Sequence, residues 1–215
     1  MDGDGVGQIS VVILDDDQLV RRALLEYLQI APDIKVMATF AKPEAAIEFI
    51  RRNPVHVALV DVNMPGMNGV RATREIRATR PATRVLILTS LDEDTVVHDS
   101  LDVGASGFLL KNTSPEALAD AIRAVNRGIA VVSPGPMARI RRPVVRTKGP
   151  IPSLSSRERA VLEQLCRGFS NSEIADVLHI SESAVKAHVT ALMTKLEVTS
   201  RLRAVVRAHE LGLDA

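Results

Sequence analysis

The sequence predicts an α/β domain, a doubly wound five-stranded parallel sheet, followed by a small all-α domain. Three observations predict it. In residues 9–132 short apolar runs alternate with amphipathic stretches of helical period, the pattern of a parallel sheet covered by helices on both faces. From residue 154 onward every periodic segment is helical. Between them, residues 133–153 hold five prolines and five basic residues (Arg139, Arg141, Arg142, Arg146, Lys148) without one acid, the composition of an extended, semi-rigid linker. A short helix around residues 137–142 fits within it. Residues 1–8 are rich in glycine and aspartate, with neither a basic start nor an apolar core, and read as a flexible tail and not a signal peptide.

Composition limits the function classes. The chain has 215 residues, 46% hydrophobic but only 2% aromatic, so its cores are aliphatic. No apolar run approaches the roughly 20 residues of a membrane span. The single cysteine, Cys166, excludes an internal disulfide and suits a reducing cytoplasm. The net charge of +1 conceals a split: residues 1–133 carry 14 basic and 18 acidic side chains, and residues 153–215 carry eight of each.

Taken in order, the predicted strands are 9–14, 34–40, 55–60, 84–88 and 107–110. The run at 55–60, VHVALV, is valine-rich and bounded by prolines, as a strand buried on both faces should be. Predicted helices cover 18–29, 43–52, 70–80, 93–103 and 115–127, the last opened by a Ser114 cap followed by Pro115. Ligands of such sheets bind at the carboxyl ends of the strands. There the sequence places Asp15 and Asp16 after the first strand, Asp61 after the third, Thr89 after the fourth and Lys111 after the fifth. Three crowded carboxylates raise one another's pKa unless a cation joins them. A hard divalent ion, Mg²⁺, meets that need. An aspartate can attack a phosphoryl group and form an acyl phosphate, whose charge the metal, the Lys111 ammonium and the Thr89 hydroxyl would stabilise.

Asp15-Asp16, Asp61 followed by Met64-Pro65-Gly66, Thr89-Ser90, and Gly104-Ala105 through Phe108 to Lys111 resemble the receiver domain of bacterial two-component response regulators, a flavodoxin-like fold. The resemblance implies that Asp61 accepts phosphate from a sensor histidine kinase. It implies Mg²⁺ on Asp16, Asp61 and the Asn63 carbonyl with Asp15 nearby, and a switch in which the Thr89 hydroxyl moves toward the phosphate while the Phe108 ring turns inward. Asp17 stands where such regulators often carry histidine, and Asn68 where aspartate is common. Asp17 reads as a solvated residue.

In the second domain two capping boxes, Ser155 to Glu158 and Ser170 to Glu173, open helices, and a turn at His179-Ile180-Ser181 precedes a third helix. Spacings of four, three and four put Val185, Val189, Leu192 and Leu196 inward, leaving Ser183, Lys186, Ala187 and Thr190 outward. Two helices joined by a short turn, the second with small, polar and basic residues outward, form a helix-turn-helix suited to the major groove. A last helix, 201–211, carries Leu202, Val205, Val206 and His209 on one stripe. Lys186, Lys195, Arg201, Arg203 and Arg207 against Glu197 make a local basic cluster for DNA phosphates. Of the five histidines only His188 is placed to reach a phosphate.

Residues 154–213 are similar to the LuxR-type DNA-binding domain, SNSEIA and VKAHV being the most telling segments. Joined to a receiver, they indicate the NarL/FixJ family. The family implies that Lys186, Ala187 and Thr190 meet bases or phosphates of promoter DNA and that the last helix makes the dimer contact. No nucleophile elbow, P-loop or zinc-protease motif is present, so an enzyme is not expected. Two alternatives stay open: a DNA-binding regulator whose receiver is a phosphorylation-independent dimerisation or ligand module, and a phosphotransferase or phosphatase using Asp61 as nucleophile.

Overall fold

The structure, a computed structural model, describes residues 8–89, 94–140 and 152–213, the side chains of 94–96 and 138–140 excepted. The continuous apolar runs ISVVIL and VALVD form β1 (Ile9–Leu14) and β3 (Val57–Asp61), in which every residue is buried. Both lie inside the sheet with helices on each face, which is why no polar alternation is tolerated. β2 (Ile34–Phe40) alternates between covered and exposed residues because it is an edge strand. With β4 (Arg84–Thr89), β5 (Gly107–Leu110) and β6 (Val131–Val132) the order is β2-β1-β3-β4-β5-β6, every pairing parallel.

The sheet has six strands where the sequence predicts five. β6 is two residues long, too short to leave a pattern. It lies against Gly107, where an added Cβ would stand 2.5 Å from the Val131 carbonyl oxygen.

On one face α1 (Gln18–Gln29) and α5 (Pro115–Asn126) bury Leu24, Leu28, Leu118 and Ile122 against the odd-facing strand residues. On the other, α2 (Pro43–Arg52), α3 (Gly69–Thr79) and α4 (Asp94–Asp102) bury Ile47, Ile50, Ile76 and Leu101 against Val12, Leu14, Val60 and Phe108.

The start of the expected linker is not extended. Residues Pro134–Ile140 form α6, packed on α4 and β5. Pro134 stands at the first helical position, where its missing N–H costs nothing, and Ser133 anchors the entry by donating its N–H to the Phe108 carbonyl at 2.9 Å. The remainder, with Arg141, Arg142, Arg146 and Lys148, lies outside the described residues, as do residues 1–7 of the expected tail.

The all-α part comprises α7 (Ser156–Cys166), α8 (Asn171–Leu178), α9 (Glu182–Lys195) and α10 (Arg201–Leu211). Both predicted capping boxes form. His179, at φ 52°, closes α8 in the left-handed conformation, and Ser181 caps α9. Val161, Leu165, Ile174, Val185, Leu192 and Leu196 make its core. Leu202 and Val206 of α10 instead join the sheet-domain core, and Arg203 pairs through Nε with Asp102 at 2.9 Å. No helix among the described residues is long and apolar enough to cross a membrane.

Candidate functional site

The strand order reverses at β1, which has β2 on one side and β3 on the other, so the loops leaving β1 and β3 diverge to opposite faces and leave a crevice between them. Asp61, the last residue of β3, sits there at 2% exposure, with Asp15 fully buried beside it and Asp16 exposed. Carboxylate oxygens of the three lie within 4.8 Å of one another. Lys111, just past β5, brings its ammonium 2.9 Å from Asp15 Oδ2 and 2.9 Å from Asp61 Oδ1.

The backbone around the pocket fixes this geometry. A Cβ at Gly69 would stand 2.2 Å from the Asp61 carbonyl oxygen. Only glycine lets the first residue of α3 close on β3, its N–H donating to the Val62 carbonyl at 2.8 Å. Gly66 takes the left-handed turn at φ 81°. Arg21 donates to the carbonyl oxygens of Asp15 at 2.7 Å and Asp16 at 2.9 Å, tying down the acidic loop.

Burial raises the Asp61 pKa above the usual carboxylate range. The Lys111 hydrogen bond and the Asn63 N–H oppose the rise, and the Asp15 charge adds to it. For Lys111 burial alone disfavours the ammonium, but the Asp15 and Asp61 carboxylates overcome it and its pKa is raised.

Three carboxylates face one ammonium, an excess of two negative charges. Asp15 Oδ2 is buried with the Lys111 ammonium at 2.9 Å on one side, so a lone pair stays available to a cation. An all-oxygen donor set with that excess fits a hard divalent ion.

Thr89, 2% exposed, ends β4, and Phe108 on β5 is fully buried. The expected inward turn of the ring therefore starts from a ring already inside. On α9 the residues Ser183, Lys186, Ala187 and Thr190 are exposed and His188 is half-buried. Lys186 pairs with Glu182 at 2.8 Å, and Thr190 donates its hydroxyl to the Lys186 carbonyl at 3.0 Å.

Known proteins match both halves. Residues 11–123 match the family model of the response regulator receiver domain, and residues 152–208 that of bacterial regulatory proteins of the luxR family. The response regulator protein VraR of Staphylococcus aureus (strain NCTC 8325) is 36% identical over 205 residues, 95% of this chain and 98% of that protein. This chain is a two-component response regulator. Its family is one of non-enzymatic DNA-binding regulators, and the nucleophilic-enzyme alternative falls away with that assignment.

Among solved structures, the response regulator ChrA of a heme-sensing two-component system aligns with 97% of this chain and 100% of its own, at 33% identity and TM-score 0.55. The receiver domain of the putative response regulator NarL from Mycobacterium tuberculosis covers 56% of this chain and 98% of its own, at 32% identity and TM-score 0.54. RcsB of Salmonella typhimurium, at 24% identity and TM-score 0.59 over 93% of this chain and 97% of its own, shares the fold.

Two features of the regulator's helical part bear on the sequence expectations. The cluster expected to meet DNA phosphates is largely neutralised: Lys195 pairs with Glu158 at 2.7 Å, Arg203 with Asp102 and Glu210 at 2.9 and 2.8 Å, and Arg207 with Glu210 at 3.1 Å. The α10 stripe also divides. Leu202 and Val206 are covered by the receiver, Val205 packs on the helical core, and His209 is exposed.

Sequence reading missed three positioning residues. Asp17, read as solvated, caps α1 by accepting the Leu19 N–H at 2.7 Å, and Asn68 caps α3 by accepting the Arg71 N–H at 3.0 Å. The cap preference for Asp and Asn was the available signal. Arg21 offered none, because it acts on backbone carbonyls.

Proposed function

We propose that phosphorylation of Asp61 by a sensor histidine kinase controls binding of double-stranded promoter DNA by α9, in the cytoplasm and as a homodimer on DNA. The observation that carries this reading is the shared 2.9 Å contact of one ammonium with buried Asp15 and Asp61 at the switch point of the sheet. A carboxylate oxygen of Asp61 attacks the phosphorus of a phosphohistidine, the P–N bond breaks with its electron pair returning to the imidazole, and an acyl phosphate results. Lys111, losing its pairing to the ionised Asp61, donates to a phosphoryl oxygen in its place. Asp15, Asp16, Asp61 and the Asn63 carbonyl are the proposed Mg²⁺ ligands, and the ion when bound supplies positive charge for the transferring phosphoryl oxygens.

Thr89, the last residue of β4, turns its hydroxyl toward the phosphoryl group, and the movement is passed on to α4. α4 is the helix that α10 leans on through Leu202, Val206 and the Arg203 to Asp102 pair. Moving α4 therefore loosens the grip on α10, which carries the proposed dimer contacts Leu202 and Val206, and frees Ser183, Lys186, Ala187, His188 and Thr190 for DNA. Tenfold tighter DNA binding requires about 1.4 kcal/mol of coupling, within reach of a repacked apolar contact of two side chains.

Intact mass after acetyl phosphate and Mg²⁺, compared with Asp61→Asn, tests the reading alongside fluorescence anisotropy on promoter DNA. A single phosphoryl adduct absent from the variant, with tighter DNA binding in wild type, is expected. Equal DNA binding by wild type and Asp61→Asn, with and without adduct, would refute phosphorylation control.

A further inference from the structure

Between the receiver and the helical domain lies a cleft of about 180 Å³ into which three arginines project from two sides: Arg77 and Arg84 from the receiver, Arg201 from the start of α10. Among the described residues none of the three has a carboxylate as hydrogen-bond partner. Arg77 donates to the carbonyl oxygens of Pro81, of Thr83 at 3.2 Å and of Thr199 at 3.4 Å. Arg201 donates to the Phe169 carbonyl and to Asn171 Oδ1 at 3.0 Å. Among the described residues the Arg84 guanidinium has no hydrogen-bond or ion-pair partner. By contrast Lys195, Arg123, Arg203 and Arg207 each hold a carboxylate, and Lys186, on the α9 side of the same cleft, pairs with Glu182.

Burial lowers the pKa of all three guanidiniums, and the Arg84 charge lowers those of Arg77 and Arg201 further, Arg201 to about 10. The acid that acts on Arg201 is Glu173, whose carboxylate is committed to the Ser170 N–H at 2.6 Å in the capping box. Uncompensated like charges in a partly dehydrated cleft are costly unless an anion joins them. Guanidinium forks match the oxygens of phosphate bidentately. The hydroxyls of Ser106 and Ser200 in the same lining accept the N–H groups of Val85 and Arg203, which leaves their hydrogens to donate inward.

We propose that this interdomain cleft is a binding site for a small phosphate-type oxyanion, either free orthophosphate or the phosphate of a monoester. The anion bridges Arg77 and Arg84 to Arg201, and so it binds only when the two domains are together. A ligand that favours one arrangement shifts the population toward it. Lys186 and Thr190 of α9 line the same cleft, so bound anion disfavours DNA, a consequence that rests on the DNA-binding reading given above.

The test uses full-length Asp61→Asn protein in chelator, so that neither phosphorylation nor metal contributes. Inorganic phosphate and glycerol 3-phosphate are titrated in by isothermal calorimetry. Saturable one-to-one binding is expected, weakened at least tenfold by Arg84→Gln and by Arg201→Gln, and partly kept in Arg84→Lys. Tighter binding of the ester identifies a monoester ligand, and equal affinity identifies orthophosphate. The two Gln variants lie in different domains, and melting followed by circular dichroism establishes which are folded. Absence of saturable binding overturns the proposal, as does binding unchanged in a folded Gln variant. It is equally overturned if neither anion binds while Arg84→Gln weakens promoter DNA binding, because the cluster is then a DNA contact.

Discussion

At the scale of single residues the proposed phosphoacceptor pocket holds its central carboxylate at a cost. Asp61 is 2% exposed and its pKa is raised, chiefly by burial. A group whose folded pKa lies above its unfolded value of about 3.8 contributes stability that is fully present below that pH and lost as pH rises through the folded pKa. In chelator, wild type should therefore lose stability relative to Asp61→Asn as pH climbs from 4 to 7, the variant melting a few degrees higher at neutral pH, a gain of about 1 kcal/mol. Magnesium should close that gap in wild type alone, and melts in chelator and in Mg²⁺ at several pH values check both limbs. Gly69 sits under a different constraint. A methyl group there would meet the Asp61 carbonyl oxygen at 2.2 Å, against backbone that cannot yield without moving the acceptor. Gly69→Ala should cost about 2 kcal/mol in urea unfolding and slow acetyl-phosphate labelling, since overpacking against fixed backbone falls in that range.

At the scale of elements, what could be read from the sequence depended on how much pattern an element needs. β1 and β3 are continuous apolar runs and declare themselves, whereas β6 is two valines whose partner is chosen by the absent side chain of Gly107. Capping boxes were legible because they are local, with both partners three residues apart. The pairs that neutralise the α9 and α10 cations were not legible, because Lys195 to Glu158 and Arg203 to Asp102 join distant parts of the chain. In the pocket the strand-end rule located Asp15, Asp61, Thr89 and Lys111, but the packing of Phe108 and the docking of α10 follow from tertiary contacts that no periodicity encodes. The α7 cap carries its own prediction. Hydrogen bonds from Lys195 and from the Ser155 N–H hold the Glu158 pKa down to about 2, against an ordinary 4.5. Stability from a depressed carboxylate is present above the unfolded pKa and lost as pH falls through the folded one. The helical part should thus weaken between pH 4.5 and 2, and Glu158→Gln should flatten that limb of its acid unfolding followed by circular dichroism.

At the scale of the whole molecule, the two halves share one core. Leu202 and Val206 lie in the same apolar cluster as Leu101 and Phe108, so the face of α10 proposed for dimerisation is covered by the receiver. Arg203, 8% exposed, is clamped between Asp102 of the receiver and Glu210 of its own helix, while Thr199 donates its hydroxyl to the Asp102 carbonyl at 3.0 Å. Removing one partner of a fully buried pair costs about 3–5 kcal/mol. Here the loss is smaller, because Asp102 is a third exposed and Glu210 still neutralises Arg203. A loss of about 1.4 kcal/mol from the covered arrangement moves the population tenfold toward the released one. Asp102→Ala leaves the phosphoacceptor pocket and α9 untouched. It should raise promoter affinity of the unphosphorylated protein about tenfold and enlarge the radius of gyration in solution X-ray scattering, with Asp61 phosphorylation then adding less than it does in wild type. If scattering shows the domains apart while DNA affinity stays at the wild-type value, covering α10 is not what restrains DNA binding, and the proposed control would have to act through dimerisation instead.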